Sequence, residues 1–133
     1  MLTARLQRGR PRQRHSSEPA VRVNAVDEQT RRLYEKKAQI IQAVGQPIRL
    51  AIIDLLKDGE RCVCDIAEAV GAERSNVSRH LSVLLSSGIV ACRKDGLKMI
   101  YSLQTPCILN FFSCVADVLK QQLRESEAIL REV

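Results

Sequence analysis

The sequence predicts a mainly α-helical protein with one small β-hairpin, and three observations support this fold class. Apolar residues recur at three- and four-residue intervals through most of the chain after residue 27, which is the period of a helix surface. Two short β-prone runs flank a glycine-containing turn at residues 94–98. The chain has two Phe, two Tyr and no Trp, so aliphatic side chains must form its core. Its 133 residues have room for one such domain.

The first 26 residues differ in composition from the rest of the chain. They contain six arginines against one glutamate, and so carry +5 of the net charge of +6. Glycine, prolines and serines interrupt them without any hydrophobic period. We therefore predict a disordered basic tail over residues 1–26 and a folded domain over residues 27–133. The tail either is passive or adds nonspecific contacts to DNA phosphates.

Four helices are predicted before the hairpin. Asp27 and Ser75 are the expected N-caps of the first and fourth helices. Pro47 opens the second helix at the position where its missing N–H costs least. Gly71 ends the third helix and leaves a short link to the fourth, which favours a helix-turn-helix. The predicted ranges are about 28–43, 47–57, 62–70 and 75–85.

The remainder of the chain predicts a wing and a long terminal helix. Strands over residues 89–93 and 99–103 enclose a turn with lysines at its tip, which is typical of a winged helix-turn-helix. The last helix is predicted from Thr105-Pro106 to about Leu130, with an apolar stripe that has little else to pack on in a chain this small. We therefore expect a homodimer formed through the terminal helices.

The fourth helix is the predicted DNA-reading element. Small hydroxyl and amide groups on its polar face can bind phosphates and base edges, and Arg79 can bind guanine through two hydrogen bonds. His80, beside the buried stripe, is either a base contact or an orienting group. A dimer of such domains reads a palindromic double-stranded operator. The candidate DNA-binding residues are Ser75, Asn76, Ser78, Arg79 and His80 in the helix and Arg93, Lys94 and Lys98 in the hairpin.

The cysteines are the second candidate site. Cys62 and Cys64 stand two residues apart at the predicted start of the third helix. Residues at this spacing point to different sides of a regular helix, so sharing one soft ion requires a loosened first turn. That distortion would pass to the fourth helix. The odd count of five cysteines without a secretory signal favours a reducing cytoplasm, and no run of residues approaches transmembrane length.

Two segments resemble those of a known family. "CVCDI" at residues 62–66 resembles the thiol motif of the arsenic and cadmium/lead sensors of the ArsR/SmtB family of metal-responsive winged-helix repressors. "SNVSRHLSVLLSSGIV" at residues 75–90 resembles the recognition helix and first wing strand of that family. The resemblance covers residues 28–130. It implies a homodimeric repressor that releases its operator when an effector binds.

The resemblance leaves the third ligand open. The arsenic branch has a third cysteine where this chain has Ala67, and the cadmium/lead branch draws thiols from an N-terminal arm that has none here. Cys107 is the preferred third ligand and Cys114 is the alternative. The third option is that neither of them is a ligand. Either cysteine could come from the partner subunit. Cys92 lies in the first wing strand, where it could simply be packed. The predicted metal-ligand set is Cys62, Cys64 and Cys107.

Thiol-only ligation indicates arsenite or antimonite as the effector, with no permanent cofactor. Cadmium, lead and mercury are the alternatives. The two histidines, His15 and His80, lie outside the last helix, which disfavours the zinc site that the family builds there from Asp and His. A redox switch would instead join Cys62 or Cys64 to Cys107 or Cys114. No cysteine has a phosphate cradle or a plausible His or Asp partner, so an enzyme is not predicted.

Overall fold

The computed structural model describes residues 27–133, which form five helices and a three-stranded antiparallel sheet. The mainly helical winged helix-turn-helix class is confirmed. The tail predicted over residues 1–26 lies outside the described residues. No helix within residues 27–133 is long and apolar enough to span a bilayer. The elements are α1 (Glu28–Val44), α2 (Pro47–Leu56), β1 (Arg61–Cys62), α3 (Val63–Val70), α4 (Arg74–Ser86), β2 (Val90–Asp95), β3 (Lys98–Leu103) and α5 (Ile108–Arg131).

Local capping explains where several helices begin and end. The carboxylate of Asp27 accepts a hydrogen bond of 2.8 Å from the Thr30 N–H, as expected of the N-cap of α1. Before α2, the Gln46 side chain accepts from the N–H groups of Ile48 and Arg49. Gly71 ends α3 at φ +66°, a left-handed conformation that glycine adopts without a Cβ clash. The tight turn there places α4 against α3 as a helix-turn-helix.

The predicted starts of three helices are wrong. Ser75 is not an N-cap, because α4 already begins at Arg74, and extended Glu73 precedes it without a side-chain capping bond. The third helix begins at Val63 instead of residue 62, because Cys62 belongs to β1. The last helix begins at Ile108 instead of Thr105-Pro106. There the N–H of Ile108 bonds to the carbonyl three residues back, so a tight turn precedes the helix.

The sheet extends the predicted hairpin by one short strand. Its order is β1-β3-β2, with Cys62 opposite Ile100 in β3. The predicted turn over residues 94–98 and the predicted strand bounds are wrong, because β2 and β3 pair as far as Asp95 and Lys98 and leave only Gly96 and Leu97 in the turn. Gly96 has φ +62°, whereas Leu97 does not have positive φ, because only glycines do within residues 27–133. This combination matches a type II′ turn.

The core lies between the helix-turn-helix and the sheet. Its fully buried side chains are aliphatic and come from α2, α3 and α4, and Tyr101 of β3 adds an aromatic ring at the edge. Three residues of α4 are completely buried, so the rotation of this helix is set by packing and its opposite face points outward. The six most buried side chains are Ile52, Ile53, Ile66, Val77, Leu81 and Leu84.

Candidate DNA interface and thiol site

The outward face of α4 carries the side chains predicted to read DNA. Ser75, Ser78 and Arg79 are exposed, and Asn76 is half-buried. The buried residues Val77, Leu81 and Leu84 hold the helix so that these groups remain on the surface. Hydroxyl, amide and guanidinium groups on one exposed helix face can contact phosphates and base edges in a major groove.

His80 makes a contact that the sequence did not reveal. Its Nδ1 lies 3.2 Å from Nη1 of Arg49 in α2, and Nη2 of Arg49 donates to the carbonyl of Gln42 in α1 at 3.3 Å. Burial, together with the positive charges of Arg49 and Arg79, holds the pKa of His80 below its ordinary value. The contact joins the His80 ring to α2, and both roles predicted for the ring, base contact and orienting group, stay predictions. Arg49 lies 31 residues from His80, and no local sequence pattern links the two.

The basic residues of the wing are not equivalent. Lys94 and Lys98 are exposed and make no ion pair within residues 27–133. Arg93 instead donates to the carboxylate of Glu60 at 2.7 Å, and the proximity of Arg93 lowers the pKa of Glu60. Asp95 lies 3.8 Å from the same guanidinium. Lys94 and Lys98 are therefore available to DNA phosphates, whereas Arg93 would have to leave Glu60 first.

The two paired thiols have different surroundings. Cys62 is buried, with 5 % of its surface exposed, and lies in β1 directly before α3. Cys64 is half-buried in the first turn of α3. It lines a surface hollow together with Ala67 and with Glu73 and Arg74, the residues where α4 begins. A ligand on the Cys64 thiol would therefore lie next to the start of the DNA-reading helix.

The other thiols lie elsewhere. Cys107 precedes α5 and Cys114 lies within it, and both are exposed. Cys92, on β2, is half-buried, and burial of the Tyr101 ring, followed by the proximity of Cys92, raises the pKa of Tyr101. No three Cys, His, Asp or Glu side chains gather into a metal-binding group anywhere in residues 27–133. One subunit in this conformation thus does not bring Cys62, Cys64 and Cys107 together.

Two helices expose long apolar faces. Only the first turns of α5 pack on the core, through Ile108, Leu109 and Phe112. An apolar groove runs between the beginning of α5 and the α1–α2 corner. Apolar surface this extensive on two adjoining helices is typical of an interface between subunits. The exposed apolar residues are Leu33, Tyr34, Ile40 and Ile41 in α1 and Phe111, Val115, Val118, Leu119, Leu123, Ile129 and Leu130 in α5.

Several proteins similar to this chain are described as transcriptional regulators. Residues 46–91 match the family described as "Bacterial regulatory protein, arsR family". An uncharacterized HTH-type transcriptional regulator of Mycobacterium tuberculosis, Rv0081, is 36 % identical over 102 residues, which are 76 % of this chain and 90 % of that protein. Its crystal structure superposes with a TM-score of 0.63, covering 71 % of this chain and 95 % of that chain.

Two further proteins are similar to parts of this chain. The homodimeric winged helix-turn-helix DNA-binding domain of Mb0332 from Mycobacterium bovis is 29 % identical with a TM-score of 0.65, covering 77 % of this chain and 94 % of that domain. An arsenical resistance operon repressor of Staphylococcus xylosus is 36 % identical over 70 residues, which are 53 % of this chain and 67 % of that repressor.

Proposed function

Because this chain belongs to the ArsR family of winged helix-turn-helix transcriptional repressors, we propose that it is a homodimeric repressor released from its operator when arsenite or antimonite binds cysteine thiolates. The family consists of DNA-binding regulators and not of enzymes. Its place of action would be the cytoplasm, where thiols stay reduced. Operator binding would use the exposed face of α4 and the two free lysines of the wing.

The observation that carries the effector proposal is the position of Cys64. Cys64 lines the same hollow as Glu73 and Arg74, where α4 begins. The carbonyl of Glu73 accepts the N–H of Val77 at 3.0 Å and so belongs to the first turn of α4. Drawing a metalloid into this hollow would move that turn. Because groove contacts require side chains to be placed within fractions of an ångström, such a shift weakens operator binding.

The backbone of Cys62 suits an ion shared with Cys64 better than the sequence suggested. Its backbone is extended, at φ −78° and ψ 162°, so it does not have to be released from the first turn of α3. Its burial is the remaining obstacle, because the thiol must become accessible to join Cys64. The third thiolate in the proposal is Cys107, with Cys114 as the alternative. Both are exposed near the apolar face of α5, where a second subunit would approach.

Relatives support this class of effector. The Staphylococcus xylosus relative is an arsenical resistance operon repressor, and its aligned region covers two thirds of that protein. The homodimeric state of the Mb0332 domain supports the dimer. Cadmium, lead and mercury are thiophilic ions that the same cysteines could bind, so they are the competing effectors in the test.

The test is fluorescence anisotropy of the reduced protein on its own upstream promoter DNA, with arsenite and then cadmium added. We expect release at stoichiometric arsenite. Cys64→Ser should retain operator binding and lose the response, whereas Cys92→Ser, a half-buried thiol outside the proposed site, should respond normally. Release by cadmium alone would assign a divalent-metal effector. Release by neither ion, but by peroxide, would favour a disulfide switch.

A further inference from the structure

One guanidinium joins three helices behind the DNA-reading face. Arg49, in α2, contacts His80 of α4 through Nη1 and the carbonyl of Gln42 in α1 through Nη2. Its Nε is buried and has no hydrogen-bond partner within residues 27–133. The side chain is half-buried, and these two contacts are its hydrogen bonds within residues 27–133. Arg49 thus connects α1, which carries part of the exposed apolar surface, to the helix that reads DNA.

The chemistry of this contact determines the state of the imidazole. Arginine stays protonated in proteins and can only donate hydrogen bonds. The Nδ1 atom of His80 must therefore accept, which makes the ring neutral with its proton on Nε2. The charged groups that act on His80 are Arg49 from α2 and Arg79 from α4. Among the described residues, α1, α3 and β2, which also contact α4, add no further charge to the ring.

The remaining ring nitrogen takes no part in this contact. Nε2 of His80 has no hydrogen-bond partner within residues 27–133, yet it is not one of the buried unpartnered nitrogens, so it keeps access to solvent. An N–H group fixed there, next to exposed Arg79, is a donor suited to a phosphate oxygen or to a guanine acceptor.

We propose that Arg49 is a positioning residue for operator recognition, which fixes His80 as an Nε2–H donor and holds α4 against α1 and α2. Protonation of His80 would remove the lone pair that accepts from Arg49 and place a third positive charge beside Arg49 and Arg79. The contact should therefore exist only while the imidazole is neutral. It acts without any effector, so it is independent of the proposed thiol site.

The experiment uses the reduced, effector-free protein and combines two readouts. Nitrogen-15 NMR reports the tautomer and titration of His80, and a His15→Gln variant assigns its signal because the chain has two histidines. Anisotropy measures affinity for operator and for random DNA. We expect Arg49→Met to give mixed tautomers, to raise the pKa of His80 towards its ordinary value, and to weaken operator binding about tenfold. Binding to random DNA should change little.

Two further variants separate charge from geometry. Arg49→Lys keeps the positive charge but cannot span both acceptors, so its operator affinity should lie between those of the wild type and Arg49→Met. Lys57→Met removes a positive charge after the end of α2, where Lys57 pairs with Asp54, and should leave His80 unchanged. An unaltered tautomer in Arg49→Met would overturn the proposal, even with weaker binding. Should that variant not fold, wild-type operator affinity in Arg49→Lys would overturn it.

Discussion

At the thiol site, the two neighbouring cysteines belong to different secondary-structure elements. Cys62 is a strand residue and Cys64 a helix residue, so the short interval between them contains the junction of β1 and α3. Ala67 lies one helical turn after Cys64 and lines the same hollow, although most of its surface is buried. This places Ala67 beside the Cys64 thiol, at the position where the arsenic sensors that the chain resembles have a third cysteine.

Ala67→Cys should therefore supply a third thiolate within one subunit. Residues three apart lie on the same helix face, so the new thiol would face the hollow next to Cys64. We expect release from operator at a lower arsenite concentration than in the wild type, measured in the same anisotropy titration. Ala69→Cys, an exposed position on α3 that does not line the hollow, is the matched control. Equal sensitisation by both variants would show that position 67 has no special relation to the site.

Among the secondary-structure elements, the wing contains basic side chains that packing makes unequally available to DNA. Arg93, Lys94 and Lys98 look alike in the sequence as basic groups around one hairpin. In the folded domain, Arg93 pairs with Glu60, which lies in the loop before β1, and the two lysines are exposed to solvent. Because DNA affinity depends on counterions displaced from phosphates, the free lysines should contribute more than the paired arginine.

The salt dependence of operator binding tests this difference. Replacing Lys94 and Lys98 with alanine removes four lysines from a bound dimer and should reduce the slope of log K against log salt by about 4, since each phosphate contact contributes about 0.9. The preference for operator over random DNA should persist, because phosphate contacts carry no sequence information. Arg93→Ala should change the slope less than either single lysine variant. A larger effect of Arg93→Ala would mean that its pair with Glu60 opens on DNA.

At the scale of the whole molecule, the described chain leaves much of its apolar surface uncovered. The core is small, and α5 extends well beyond the first turns that contact it. Val118 and Leu119, in the middle of α5, are each more than half exposed. A second copy that covers α1 and α5 would bury this surface and would also set the spacing between two α4 helices.

Val118→Glu should therefore convert the protein to a monomer. A carboxylate in an apolar interface loses its hydration without a compensating partner. We expect a halved mass in sedimentation equilibrium and loss of operator binding at concentrations where the wild type is dimeric. Ser113→Glu adds the same charge at an exposed polar position of α5 and should remain dimeric. A dimeric Val118→Glu protein would place the interface elsewhere.

Local patterns of the sequence determined the helices, the hairpin and the general location of the two sites. Helical period, Pro47, Gly71 and the glycine turn act over a few residues, so they can be recognised without knowing what lies nearby. The spacing of Cys62 and Cys64, and the polar face of α4, are equally local. They placed the polar residues of α4 on its outward face, although they gave neither the first residue of α4 nor the burial of Cys62.

Only the tertiary structure decided the contacts that define how these residues behave. Strand β1 contains two residues, too few to show a period, and it exists because β3 supplies the pairing. Arg49 reaches His80 across 31 residues and Arg93 reaches Glu60 across 33, so neither pair has a local signal. The contact of His80 with Arg49, the ion pair of Arg93 with Glu60 and the burial of Cys62 all arise from groups brought together by packing, which a pattern along the chain does not contain.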